Sequence, residues 1–165
     1  MRELLEGRRF GFAPRPALAS VAAGLAIGLF LLDLVSWSGW GVRDTNALVV
    51  GSVWVGAATA IVALLGLAAA LAERVDVPEE EASLARVDAI AVGAAALLYV
   101  ATTAVRAIDT GAAAASPLAL LLQIAGLILV LAGAGLSSVL YASREWEELD
   151  EIVHERHRRR PAAGR

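Results

Sequence analysis

A chain of 165 residues that is 58% hydrophobic, with a mean hydropathy of +0.67, is more apolar than an ordinary soluble domain and points to a membrane protein. Its net charge of −3 is too small to imply a nucleic-acid partner, and the absence of cysteine excludes disulfides, thiolate metal sites and thiol chemistry. Too little polar chain remains for a separate soluble domain, so the sequence reads as one membrane domain, residues 17–142, with short tails.

Residues 1–16 carry four arginines and end in a proline-punctuated entry to the first apolar block. Phe10 and Phe12 beside Arg8, Arg9 and Arg15 suit the headgroup layer, either as an interfacial anchor or, the favoured reading, as a partly ordered tail. The first span, 17–35, has no ionisable side chain until Asp33. At ~1.5 Å per residue it reaches across roughly the 30 Å of a bilayer's hydrocarbon core. It runs into the bulky WSGW rather than a small-residue cleavage site, so it reads as a retained span and not a signal peptide.

The connection 36–45 follows, with Trp37 and Trp40 marking a water interface. A second span, 46–71, is longer than the core requires and is expected to tilt or overshoot. In the charged connection VDVPEEEASLARVD, Pro78 followed by three glutamates is a helix-start signal. The third helix should therefore begin in water near Pro78 and enter the bilayer near Asp88. Its span, 88–108, holds Thr102, Thr103 and Arg106. A small-residue loop leads to Pro117 and the fourth span, 118–141, which has no charge at all. The tail, 143–165, is amphipathic and then basic.

Twelve of the fourteen arginines lie in the two tails and the middle connection. The positive-inside rule then puts both termini in the cytoplasm. The expected fold is an all-α integral membrane four-helix bundle, up-down-up-down, in the cell's inner membrane.

Within lipid, spans associate through close packing of small residues and a few polar contacts. Gly24 and Gly28 form a GxxxG, Ser52 and Gly56 a small-xxx-small pair, and Gly126, Gly133 and Ser137 share one face of the last span. These faces could form a homodimer seam, but packing within an alanine-rich bundle is the favoured expectation. Asp33 and Arg106 lie at similar depths near the outer face. Either they pair, tying the first span to the third, or each snorkels to the interface; depth alone does not choose. Trp37, Trp40, Tyr141 and Trp146 are the expected interface anchors.

The spans contain no His, no Cys and no carboxylate at mid-depth, and no phosphate loop, nucleophile elbow or zinc-helix motif appears. No catalytic residue and no cofactor is expected. In the tail, Glu151, His154 and His157 step by three along one side and could bind a divalent metal, but a solvated amphipathic helix explains them as well and is preferred. Arg156 and Arg158 to Arg160 suit anionic headgroups.

The segments GLAIGLFLLDLV, AIVALLGLAAAL, ALLYVATTAVR and AGLILVLAGAGLSSVLY resemble a bacterial family of four-span membrane proteins classed as a domain of unknown function. The resemblance covers residues 14–142 and rests on Asp33, Gly66, Arg106 and the stretch from Gly133 and Gly135 to Tyr141. It implies a bundle similar to di-haem cytochromes b, since such relatives open the first span with a His-Pro motif and carry another His entering the third. This chain reads Pro14-Arg15-Pro16-Ala17 and Arg86-Val87-Asp88 there. The function expected is a non-enzymatic structural or accessory role. Its partners would be the lipid bilayer and, through small-residue faces, another copy or a larger membrane complex. The rivals are a redox subunit binding haem or quinone and a small-solute or ion transporter.

Overall fold

The computed structural model describes residues 14–40, 46–73 and 82–158, with side chains described between 15 and 139. Among the described residues the fold has four helices: α1 (Pro14–Trp37), α2 (Ala47–Glu73), α3 (Ala82–Ile108) and α4 (Pro117–Arg158). Each carries a stretch long and apolar enough to cross a membrane. Pro78 and the rest of 74–81 lie outside the described residues. The apolar stretch of the fourth helix covers Pro117–Val139, and the helix itself runs on past 141 to Arg158.

The local sequence accounts for where the helices begin and end. Past Trp37, Gly39 adopts φ 79°, a left-handed conformation that glycine takes without a Cβ penalty, and its N–H closes on the Ser36 carbonyl at 3.2 Å. Asn46 caps α2: its Oδ1 accepts from the Leu48 N–H at 2.9 Å. Ser116 caps α4, its Oγ accepting from the Ala119 N–H at 3.2 Å, with Pro117 in the first helical position where its missing N–H costs nothing.

Every helix turns one stripe inward, and every stripe alternates steps of three and four. On α1 it runs Arg15, Ala19, Ala22, Ala26, Leu29, Asp33, Ser36; on α3 it runs Ala85, Asp88, Val92, Ala95, Tyr99, Thr102, Arg106. The stripes of α2 (Val49 to Glu73) and α4 (Ala119 to Ser137) keep the same rhythm. A 3.5-residue period is the seam of left-handed helix packing, and it makes a square bundle. α1 and α3 each pack on α2 and α4 and face one another across the diagonal, with α1–α4 the sparsest seam.

What lies inside is the reverse of a soluble protein. Among the largest fully buried side chains only Leu29 is aliphatic; the others include Gln123, Asn46, Thr59, Thr102, Asp33 and Asp88. Outside stand Leu31, Leu34, Trp54, Ile61, Ile90, Leu97, Leu121 and Ile128. Such a surface is stable only where the surrounding solvent is itself apolar, since large contiguous apolar patches on a soluble monomer would associate. The chain is a multi-pass membrane protein.

Close approach of the helices depends on small residues. A Cβ on Gly126 would lie 2.9 Å from Tyr99 Cε2 and 3.2 Å from Cζ, and this ring is fully buried. Gly126→Val is therefore expected to lower stability by about 1–3 kcal/mol through overpacking, measured by reversible unfolding in mixed micelles, with recovery on adding Tyr99→Leu. An unchanged unfolding curve would show that α3 and α4 are not held this closely. A Cβ on Gly56 would meet Thr103 Oγ1 at 2.8 Å, and one on Gly133 would meet Val92 Cγ2 at 3.1 Å. Ser52 and Ser137 are buried beside them.

Gly24 and Gly28 behave otherwise. Nothing lies within 4 Å of a Cβ built on either, so the expectation that the α1 motif packs inside the bundle does not hold. The reason is angular: Gly24 falls midway between the inward Ala22 and Ala26, on the opposite side of the helix.

Candidate functional site: two diagonal ion pairs and a cleft

The bundle has a loop end, where α1 meets the connections 38–46 and 109–116, and a tail end, where α1 and α3 begin. Each end holds a buried charged cluster.

At the loop end Arg106 sits on the last turn of α3, where the helix dipole favours a cation. Its guanidinium bonds to Asp33 Oδ2, to Gln123 Oε1 and, at 2.6 Å, to Thr102 Oγ1. Asp33 is 1% exposed and Arg106 3%, so neither reaches the interface. Of the two sequence alternatives, pairing and separate snorkelling, the structure has the pair. Thr102 in turn donates to the Ala119 carbonyl at 2.8 Å, joining α3 to α4.

The 109–116 connection is laced over this cluster. Trp37 Nε1 donates to the Ala115 carbonyl at 2.9 Å, Ser36 Oγ accepts from the Ala115 N–H at 3.2 Å, and Asn46 Nδ2 donates to the Ala113 carbonyl at 2.6 Å and that of Trp40 at 3.1 Å. Trp37 and Trp40 are exposed, as interface anchors would be, and Trp54 joins them at this end. Tyr141, Trp146, Glu151, His154 and His157 lie on the continuation of α4, where side chains are outside the described residues. Among the described residues no group of His, Cys, Asp and Glu could hold a metal ion.

The tail-end cluster went unrecognised in the sequence. Arg15 does not face outward: it is 6% exposed, with Nη1 donating to Glu73 Oε2 at 3.1 Å and Nη2 against Asp88 Oδ2. Asp88 is fully buried. The signal was available, because Arg15 lies 73 residues before Asp88 and Asp33 lies 73 before Arg106. α1 and α3 run parallel, so one register satisfies both pairs. α1 carries the cation at the tail end and the anion at the loop end; α3 carries the reverse.

Eighteen residues separate the charges on each helix, about 27 Å at ~1.5 Å per residue. The two clusters are thus about as far apart as a bilayer's hydrocarbon core is thick, ~30 Å. Between them lies an aliphatic and aromatic belt: Ala22, Ala26, Leu29, Ala60, Ala95, Tyr99 and Val130.

The chain's two histidines are in the tail, it has no cysteine, and its one methionine is Met1. Among the described side chains none is His, Cys or Met, so these residues offer no axial ligand of the kind haem iron takes and do not fit that cofactor. The chain matches no protein-family model, no curated protein and no solved structure.

Proposed function

We propose that this protein is a non-catalytic structural or accessory component of a bacterial inner membrane, with both termini cytoplasmic. The observation that carries the reading is how the interior is used. At each end a charged pair joins α1 to α3 across the diagonal, and the belt between the ends is packed with alanine, Leu29 and Tyr99. Solute or ion transport would call for a polar route through the belt of Ala22, Ala26, Leu29, Ala60, Ala95, Tyr99 and Val130. The distribution of arginines supports placing the tail end on the cytoplasmic side.

What remains for a partner is the outside. Among the described residues nothing packs on the Gly24–Gly28 face of α1, which lets another helix approach its backbone. Gly28→Leu is expected to abolish co-purification of a membrane partner, or of a differently tagged second copy, from native membranes. The monomer's own unfolding curve should stay unchanged. Co-purification that survives this substitution together with Gly24→Leu would sink the docking role of α1. Uptake of any solute into vesicles containing the purified chain alone would sink the accessory reading.

A further inference from the structure

The tail-end cluster is not fully closed. A cleft reaches in between all four helices, walled by Leu18, Val62, Val130 and other small aliphatic residues, with Arg15, Asp88 and Ser137 as its polar lining. It is partly open and has room for a water-sized group. Two of its oxygens are unpartnered although their residues are almost wholly buried: Asp88 Oδ1, on a side chain with no exposure, and Ser137 Oγ, on a residue 2% exposed. Buried polar atoms in folded proteins nearly always have partners, so two orphans facing one cleft call for a ligand that supplies hydrogen-bond donors.

We propose that this cleft binds a primary ammonium carried on an apolar tail, the ammonium donating to Asp88 Oδ1 and Ser137 Oγ. The charge follows from the cluster. Arg15 already faces a carboxylate with each terminal nitrogen, so it has little to offer an anion, and an anionic head would approach Asp88 against its charge. The size follows from the space: an NH3 group is close to a water in volume and brings three donors, whereas a trimethylammonium is larger and brings none. The tail follows from the wall, which apart from Arg15, Asp88 and Ser137 is built of aliphatic side chains and Gly66 and Gly133. An aminophospholipid headgroup and a free alkylamine share this chemistry.

The test uses the full chain in neutral-detergent micelles, with thermal unfolding followed by circular dichroism. Dodecylamine should raise the midpoint with a saturable concentration dependence, while dodecanol and dodecyltrimethylammonium should not. Ser137→Ala removes one acceptor without touching the ion pair and should weaken the dodecylamine effect about ten-fold, the worth of one hydrogen bond to a charged group. Asp88→Asn should abolish it, and Ser137→Ala keeps the test decisive if that variant does not fold. Stabilisation by phosphatidylethanolamine over phosphatidylcholine would identify lipid as the source, and a response to dodecylamine alone would identify a free amine. The proposal is overturned if dodecylamine has no effect, if either control matches it, or if Ser137→Ala leaves its apparent affinity unchanged.

Discussion

Replacing Arg106 with glutamine is expected to destabilise the bundle by about 3–5 kcal/mol, the usual cost of leaving one member of a buried ion pair alone. Asp33 would lose the partner of its Oδ2, and its Oδ1 has none already. The same substitution removes a donor to Thr102, which ties α3 to α4 through the Ala119 carbonyl, and a donor to Gln123. The double variant Asp33→Asn with Arg106→Gln should recover a large part of the loss, because it removes both charges and leaves polar groups able to bond one another. Reversible unfolding in mixed micelles measures all three. Costs that simply add, with no recovery in the double variant, would show that the two residues do not interact.

The pair serves more than stability. Buried ion pairs are poor contributors to net stability compared with well-packed apolar residues, and their best-attested role is to specify register. Here the two pairs have opposite polarity at the same offset. A slip of α3 by one heptad against α1 would break both together and leave four charges in an apolar interior. Neighbouring alanine-rich stripes offer little else to distinguish one register from the next, since small side chains interlock weakly. Charge at the two ends supplies the discrimination that the smooth belt lacks.

Much of this architecture was legible before any coordinates. Four apolar blocks, the tryptophans at the first connection and Pro117 at the start of the fourth span lie openly in the sequence, because lipid demands long uninterrupted helices. Asp33 and Arg106 stood out for the same reason, since an ionisable residue inside an apolar block is costly, but their similar depth left pairing and separate snorkelling equally open. Arg15, Glu73 and Asp88 did not stand out, because each sits within a few residues of a charged connection and looks solvated. Position along the chain does not reveal that α1 begins at Pro14 and carries Arg15 inward on its first turn. The inward stripe does: Arg15 and Asp33 occupy the same 3.5-residue seam as Ala22 and Leu29. Gly24 and Gly28 failed for the complementary reason, since a GxxxG motif states that a helix can be approached closely but not by which neighbour.

The tail-end cluster offers the sharper test of that seam, through an asymmetry between its members. Arg15→Gln would strip Asp88 of its only described cation and leave both its oxygens unpartnered in a fully buried site, so a loss of about 3–5 kcal/mol is expected. Asp88→Asn should cost distinctly less, because Arg15 keeps its 3.1 Å contact with Glu73 and an amide oxygen can still accept from the guanidinium. Were Arg15 a headgroup-layer residue, as its neighbours in the sequence suggest, the order would invert: losing an exposed arginine would cost little, and altering a buried aspartate would dominate. Unfolding of the two variants side by side decides between these. A smaller loss for Arg15→Gln than for Asp88→Asn would remove the diagonal pair, and with it the shared register that binds α1 to α3 at both ends of the bundle.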